Sequence, residues 1–190
     1  MIMLSKEELC GVIDAIGALT VGEIYSVAKE MSLLRGDVPR SMPEIKNICD
    51  DSENENLIVA VSWDEVEGME ESDLAYYIAG PNAFPEVPFE LSEVIDILEL
   101  TKREVDLTKV SGRISRNLHR RIKNLDNKID SVNKGKVHEK DLENLEHRYS
   151  DILNQYYDYS FWLPENISAI EDEIKELSSR IESLKSAQGI

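Results

Sequence analysis

The stretch 114–132, ISRNLHRRIKNLDNKIDSV, decides the architecture of this chain. Its apolar residues Ile114, Leu118, Ile122, Leu125, Ile129 and Val132 recur at steps of 4, 4, 3, 4 and 3. Such spacing keeps one stripe of an α-helix apolar and asks for a partner stripe to cover it. The doubled step of four departs from a strict heptad and relaxes a left-handed supercoil locally. Moving toward the C-terminus, Asn133-Lys134-Gly135-Lys136 breaks the helix. A second seam follows at Leu142, Leu145, Tyr149, Ile152, Tyr156 and Tyr159, and a third at Ile167, Ile170, Ile174, Leu177, Ile181 and Leu184. Phe161-Trp162-Leu163-Pro164 separates these two, with Pro164 suited to the first turn of the last helix. The expected helices cover about 107–133, 137–160 and 164–187. Near-equal lengths and short breaks favour antiparallel neighbours, as a bundle or coiled coil. Either one chain closes the three seams up-down-up, or a second copy completes them in a homodimer.

Working outward to the N-terminal side, the charge changes abruptly. The chain carries a net charge of -17. Residues 1–100 hold 5 Lys and Arg against 22 Asp and Glu, whereas residues 101–190 hold 16 of each. Residues 51–100 contain no Lys or Arg. This asymmetry predicts two domains, 1–100 and 101–190. It also predicts that most of the first one repels nucleic-acid phosphates.

Within residues 1–100 three capping-box pairs announce helices: Ser5 with Glu8, Thr20 with Glu23 and Ser41 with Glu44. Each precedes a helical apolar period, through Leu9, Val12, Ile13 and Ile16, then Ile24, Val27, Ala28 and Met31, then Ile45, Ile48 and Cys49. Gly17 and Gly36-Asp37 punctuate the gaps. The period then becomes that of strands, over Leu57–Trp63 and Leu74–Ala79, joined by an acidic loop from Asp64 to Asp73 around Gly68. Gly80-Pro81-Asn82 ends the hairpin, and a fourth helix is expected from Phe89 to Leu100. The fold class is mainly α with a small β-hairpin. Helix, helix, helix, hairpin, helix is the order of a winged helix-turn-helix domain, here over about residues 4–100. The segments Glu8-Leu9-Cys10-Gly11-Val12-Ile13-Asp14, Gly17-Ala18-Leu19-Thr20 and Ala79-Gly80-Pro81-Asn82-Ala83-Phe84-Pro85 resemble an uncharacterised haloarchaeal domain family. That family carries no assigned activity, so the resemblance implies a winged-helix-like fold. It leaves function open, and the acidity reflects either halophily or a binding role.

In winged-helix DNA binders the third helix enters the major groove. Here its candidate cations are Arg40 and Lys46, amid Glu44, Asp50 and Asp51. The wing would carry Asp64, Glu65, Glu67, Glu70, Glu71 and Asp73, which phosphate repels. Nucleic acid is therefore a disfavoured partner of this domain, and protein docking a favoured one. The best candidate contact for nucleic acid or an acidic partner lies elsewhere, at Lys109, Arg113, Arg116, Arg120 and Lys123 on one flank of the first seam helix, with Arg121 and Lys128 on another. The acidic second and third helices, through Glu139, Asp141, Glu143 and Glu146 and through Glu171, Asp172, Glu173 and Glu176, offer a competing use, charge pairing between helices. Tyr156, Tyr157, Tyr159, Phe161 and Trp162 form the one aromatic cluster, a core cap or a protein contact.

Motifs for chemistry are missing from the sequence. No two of His119, His138 and His147 are four apart, as a helical metal pair requires. There is no Gly-rich phosphate loop and no nucleophile elbow. The acidic loop lacks EF-hand ligand spacing. Cys10 and Cys49 fall at apolar helix positions and are expected as reduced core residues. No signal-peptide pattern and no membrane-length apolar run occur, so a cytoplasmic protein is expected. The reading is a non-enzymatic interaction or adaptor protein, without cofactor or metal, binding a protein or itself. The alternative is a DNA-binding transcriptional regulator of the winged-helix class.

Overall fold

The computed structural model describes residues 4–133, 139–163 and 167–188. The expected break at Lys134–Lys136, His138 and the helix-starting role of Pro164 lie outside them. The chain is mainly helical with one small antiparallel sheet, and divides into two compact units, Met1–Asp106 and Leu107–Ile190.

In the first unit, α1 (Lys6–Ile16), α2 (Val21–Arg35) and α3 (Met42–Asn54) begin where the capping pairs place them. Ser5 Oγ accepts from the Glu8 N–H at 3.1 Å while the Glu8 carboxylate accepts from the Ser5 N–H at 3.2 Å. The Glu23 and Glu44 carboxylates each accept from their cap N–H at 2.8 Å. These bonds satisfy amides that helix starts leave without partners. The hairpin is β2 (Ile58–Val61) against β3 (Tyr76–Ala79), with Ile58 opposite Ala79 and Val61 opposite Tyr76. A two-residue strand, β1 (Leu19–Thr20), pairs with the other edge of β3, giving the order β1-β3-β2. Leu9, Ile13, Leu19, Ile24, Met31, Ile45, Ile58 and Leu91 are almost wholly excluded from solvent and form the centre of the core.

Several expected elements are shorter than their periods suggested. The first strand stops before Ser62, because Ser62 opens a turn of 3-10 helix over Trp63–Glu65 whose Glu65 carboxylate accepts from the Ser62 N–H at 2.9 Å. The fourth helix, α4, covers only Leu91–Ile97. It starts after a Pro88 turn, where Leu91 N–H reaches the Pro88 carbonyl at 3.1 Å, and ends before Glu99, which holds a left-handed φ of 51°.

The segment after α4 belongs to this unit. Arg103 N–H donates to the Ile16 carbonyl at 2.7 Å, and Val105 bridges Val66 in antiparallel fashion. Gly17 makes this approach possible: a Cβ there would lie 1.9 Å from the Arg103 carbonyl oxygen, and its φ of 96° suits only glycine. Gly11 plays the same part on α1, where a Cβ would lie 2.1 Å from the Glu86 carbonyl oxygen.

The second unit consists, among the described residues, of α5 (Leu107–Asn133), α6 (Glu139–Trp162) and α7 (Ser168–Gln188). Each of the three packs against the other two. Ile114, Leu118, Ile122, Leu125 and Ile129 of α5 are buried, joined by Val110 and Ser111. Leu142, Leu145, Ile152 and Tyr156 of α6 are buried, as are Ile167 before α7 and Ile170, Ile174, Leu177, Ile181 and Leu184 within it. Val132, Tyr149 and Tyr159 are half-buried at the margins. Among the described residues no helix is long and apolar enough to cross a membrane.

Candidate functional site

Two structural arginines explain why the first unit shows so little positive charge. Arg35, at the end of α2, donates to Glu8 at 2.7 and 3.3 Å and to Glu90 at 2.8 Å, and all three side chains are largely buried. The Arg35 guanidinium holds the Glu90 carboxyl below its usual range. Arg103 donates to Glu23 at 2.6 and 2.9 Å and to the Ala18 carbonyl at 3.0 Å, and lies 5.6 Å above the Tyr76 ring. Burial pushes the Glu23 carboxyl up, but bonds from Arg103 and Thr20 outweigh it and leave its pKa lowered. Lys6 meets Glu55 at 2.7 Å. Residues 1–106 hold 7 Lys and Arg against 24 Asp and Glu, so consuming three of the seven internally leaves an overwhelmingly acidic exterior.

Arg40 is half-buried just before α3, with its Nε buried and lacking a hydrogen-bond partner, and Lys46 is exposed on α3. They are separated in sequence by the helix cap and present no continuous basic strip. The acidic segment is not wholly loose: Glu67 N–H reaches the Glu104 carbonyl at 2.9 Å, and Glu65 is buried.

The first unit also exposes apolar side chains. Phe89 is 96% exposed and Val38 83%, and Phe84, Val87, Leu33 and Leu34 are exposed as well. The Glu90–Arg35 pair and a 3.0 Å bond from Glu86 N–H to the Glu7 carbonyl pin the 84–89 stretch against α1 and the end of α2. Sequence reading singled out none of these six, although Phe84-Pro85-Glu86-Val87-Pro88-Phe89 is an apolar run with no helical or strand period. Such a run between prolines is the signal that was available.

On α5 the basic residues occupy a different position from the expected flank. At about 100° per residue, Lys109, Arg113, Arg116, Arg120 and Lys123 all fall within about 40° of the direction opposite Leu118. They run along the side of the helix away from the buried seam, with Lys123 at the edge of that side, beside the groove between α5 and α7. Lys109, Arg116, Arg120 and Lys123 are exposed and Arg113 is half-buried. Pairing between helices falls to other groups. Arg180 of α7 meets Asp126 and Asp130 of α5, Lys185 of α7 meets Glu146 of α6, and His119 Nδ1 lies 2.9 Å from Glu173. Arg121 and Lys128 face α6, where they bond Gln155 and Asn144. In the Arg180 and Lys185 pairs α7, a helix rich in acids, supplies the cations, and Arg116, Arg120 and Lys123 take no part in them.

The aromatic residues divide. Tyr156 belongs to the buried seam, where burial and the neighbouring Glu171 raise its pKa. Tyr157 packs obliquely on it at 5.6 Å between ring centres, and Tyr159 packs on Trp162 at 6.0 Å. Phe161 is 89% exposed. The five do not form one surface.

Other chemistry-bearing groups are scattered. A groove of about 300 Å³ between α5 and α7 is lined by His119, Ile122, Lys123, Asp126, Glu173, Glu176 and Leu177. Among the described residues no three His, Cys, Asp or Glu side chains are grouped to hold a metal ion. Cys10 and Cys49 are buried free thiols, and burial pushes Cys49 up to about 12. Thiolate chemistry at neutral pH is thereby suppressed.

These features define a mainly helical protein with a small antiparallel sheet, whose distinctive surfaces are an acidic unit with exposed apolar residues and a basic helix back. The chain belongs to a family of unknown function, DUF7109, whose model matches residues 7–179 and so spans both units. No curated protein and no solved structure matches it.

Proposed function

We propose that this is a non-enzymatic adaptor whose first unit docks another protein. The observation that carries this reading is the exposed Phe84, Val87, Phe89 and Val38, set in a unit where 24 of the charged side chains are acidic and 7 basic. Exposed aromatic side chains on an ordered, tied-down segment are what a protein partner buries, and they gain nothing from facing water. The element order and the sheet order β1-β3-β2 support a winged-helix-like reading. On that reading α3 would be the helix that meets DNA, yet its vicinity offers Arg40 and Lys46 against Glu44, Asp50 and Asp51. Protein docking fits that charge better than groove insertion. A cytoplasmic setting and a haloarchaeal source accord with this reading, and halophily adds to the acidity without replacing the docking role.

The test is quantitative co-purification from the source cells, comparing the wild-type chain with a Phe84→Ser/Phe89→Ser variant. A partner retained in fixed ratio by the wild type and lost by the variant is the expected result. A wild-type chain that is strictly monomeric by light scattering and retains no partner would sink the reading.

A further inference from the structure

The back of α5 carries a second surface with its own chemistry. From Leu107 to Leu125 the helix holds six Lys and Arg and no Asp or Glu, in a chain with 38 acidic residues against 21 basic ones. Five of the six, Lys109, Arg113, Arg116, Arg120 and Lys123, form the row opposite the seam. At 1.5 Å per residue the row is about 21 Å long, with a cation every 4.5–6 Å or so. Arg116, Arg120 and Lys123 have no carboxylate among the described residues within ion-pair distance, and the hydrogen bond Arg120 makes is a long one, 3.4 Å, to Asn117. The ion pairs that Arg180, Lys185 and His119 make between the helices do not involve Arg116, Arg120 or Lys123. The second unit is formally neutral, with 14 Lys and Arg against 14 Asp and Glu in Leu107–Ile190, so the row is a local positive strip on a balanced body.

We propose that the back of α5 is a docking surface for the phosphate backbone of duplex nucleic acid, held without regard to base sequence. A straight, evenly spaced row suits a polymeric anion. A DNA strand winds around the duplex axis and away from a straight row, so five cations of this spacing can meet about four phosphates. Three of its five members are arginines, whose planar fork grips phosphate oxygens with two parallel bonds. Exposed Asn124 and Asn127 adjoin the row and add neutral donors of the kind that also contact phosphate. No aromatic side chain stands in the row, so single-stranded bases have nothing to stack on and the duplex is the favoured form. This surface lies in a different unit from the protein-docking patch and does not depend on it.

The experiment is fluorescence anisotropy of a labelled random-sequence duplex with the full chain, across a salt series. Wild-type binding is expected at about 50 mM salt, with log K falling against log salt at a slope of about -3 to -4. Arg116→Gln/Arg120→Gln is expected to bind at least tenfold more weakly and to reduce the slope by about 2. Arg121→Gln/Lys128→Gln, whose side chains face α6, is expected to keep the wild-type slope. Circular dichroism melting of the outward-facing double variant checks that the fold is retained. Absence of duplex binding at low salt, or an unchanged slope in Arg116→Gln/Arg120→Gln, would overturn the proposal. So would salt-sensitive self-association of the wild type, abolished in that variant, without duplex binding. That last result assigns the row to a second copy of the chain.

Discussion

Glu23 serves two structures at once. Its carboxylate caps α2 through the Thr20 N–H and receives both arms of Arg103 from a segment 80 residues away. Its pKa is lowered in the folded protein because those bonds outweigh the effect of burial. A carboxyl with a depressed folded pKa contributes its full stabilisation above the unfolded value near 4.5 and loses it as the pH falls through the lower folded value. Glu23→Gln is therefore expected to cost about 1–3 kcal/mol near pH 7, where a charge-assisted pair is removed and Arg103 is left under-compensated. The gap from wild type should stay constant down to about pH 5 and narrow below that as the wild-type carboxyl protonates. Urea unfolding of both proteins at several pH values measures it, and a gap as wide at about pH 3 as at pH 7 would contradict this assignment of Glu23. Arg35 is built on the same plan, one guanidinium between the carboxylates of Glu8 and Glu90, so the two buried arginines stitch together elements far apart in sequence.

At the scale of elements, the α5 seam makes a graded prediction. Leu125 is 2% exposed in the packed stripe, so Leu125→Ala should destabilise by about 2–5 kcal/mol. Val132, half-buried at the end of the same stripe, should cost about 1 kcal/mol or less when changed to Ala. Chemical denaturation that ranked Val132→Ala as the more damaging would mean that the stripe is placed wrongly. The seam was legible because each buried position repeats a helical period over several turns. The caps of α1, α2 and α3 were legible because Ser or Thr followed by Glu three residues later is a local code. β1 was not, because two residues cannot show an alternation, and Thr20 had already been read as the cap of α2. The attachment of Arg103 to Ile16 and Glu23 was invisible for a different reason: contacts across 80 or more residues leave no period behind. Of the candidate contacts, the basic row was visible as a spacing, and its direction was computable by counting rotation from Leu118. What the sequence did not reveal is that α7 supplies the pairing cations through Arg180 and Lys185. The aromatic run read as one cluster because its members are neighbours in sequence, while the helix turns Tyr156 inward and Phe161 outward.

For the whole molecule, the uneven charge has a thermodynamic cost that salt should relieve. The formal charge of -17 arises entirely within residues 1–106, where like charges crowd a small surface. Self-repulsion of this kind destabilises the compact state and is screened as the Debye length falls from about 30 Å at 0.01 M to about 3 Å at 1 M salt. The melting temperature of the full chain is expected to rise with sodium chloride over that range. A falling melting temperature would mean that screening of the Arg35 and Arg103 pairs outweighs relief of the repulsion. The same stitching has a consequence for how the protein is made. Ile16 and Glu23 emerge from the ribosome before Arg103, the residue that closes over them. At about 5–20 residues per second, the 80 residues between Glu23 and Arg103 take roughly 4–16 s to synthesise. Through that interval α1 and α2 exist without their last anchor, and Gly17 lies uncovered. The first unit can complete its fold only when its final few residues arrive, so the order of translation places its locking step at the end.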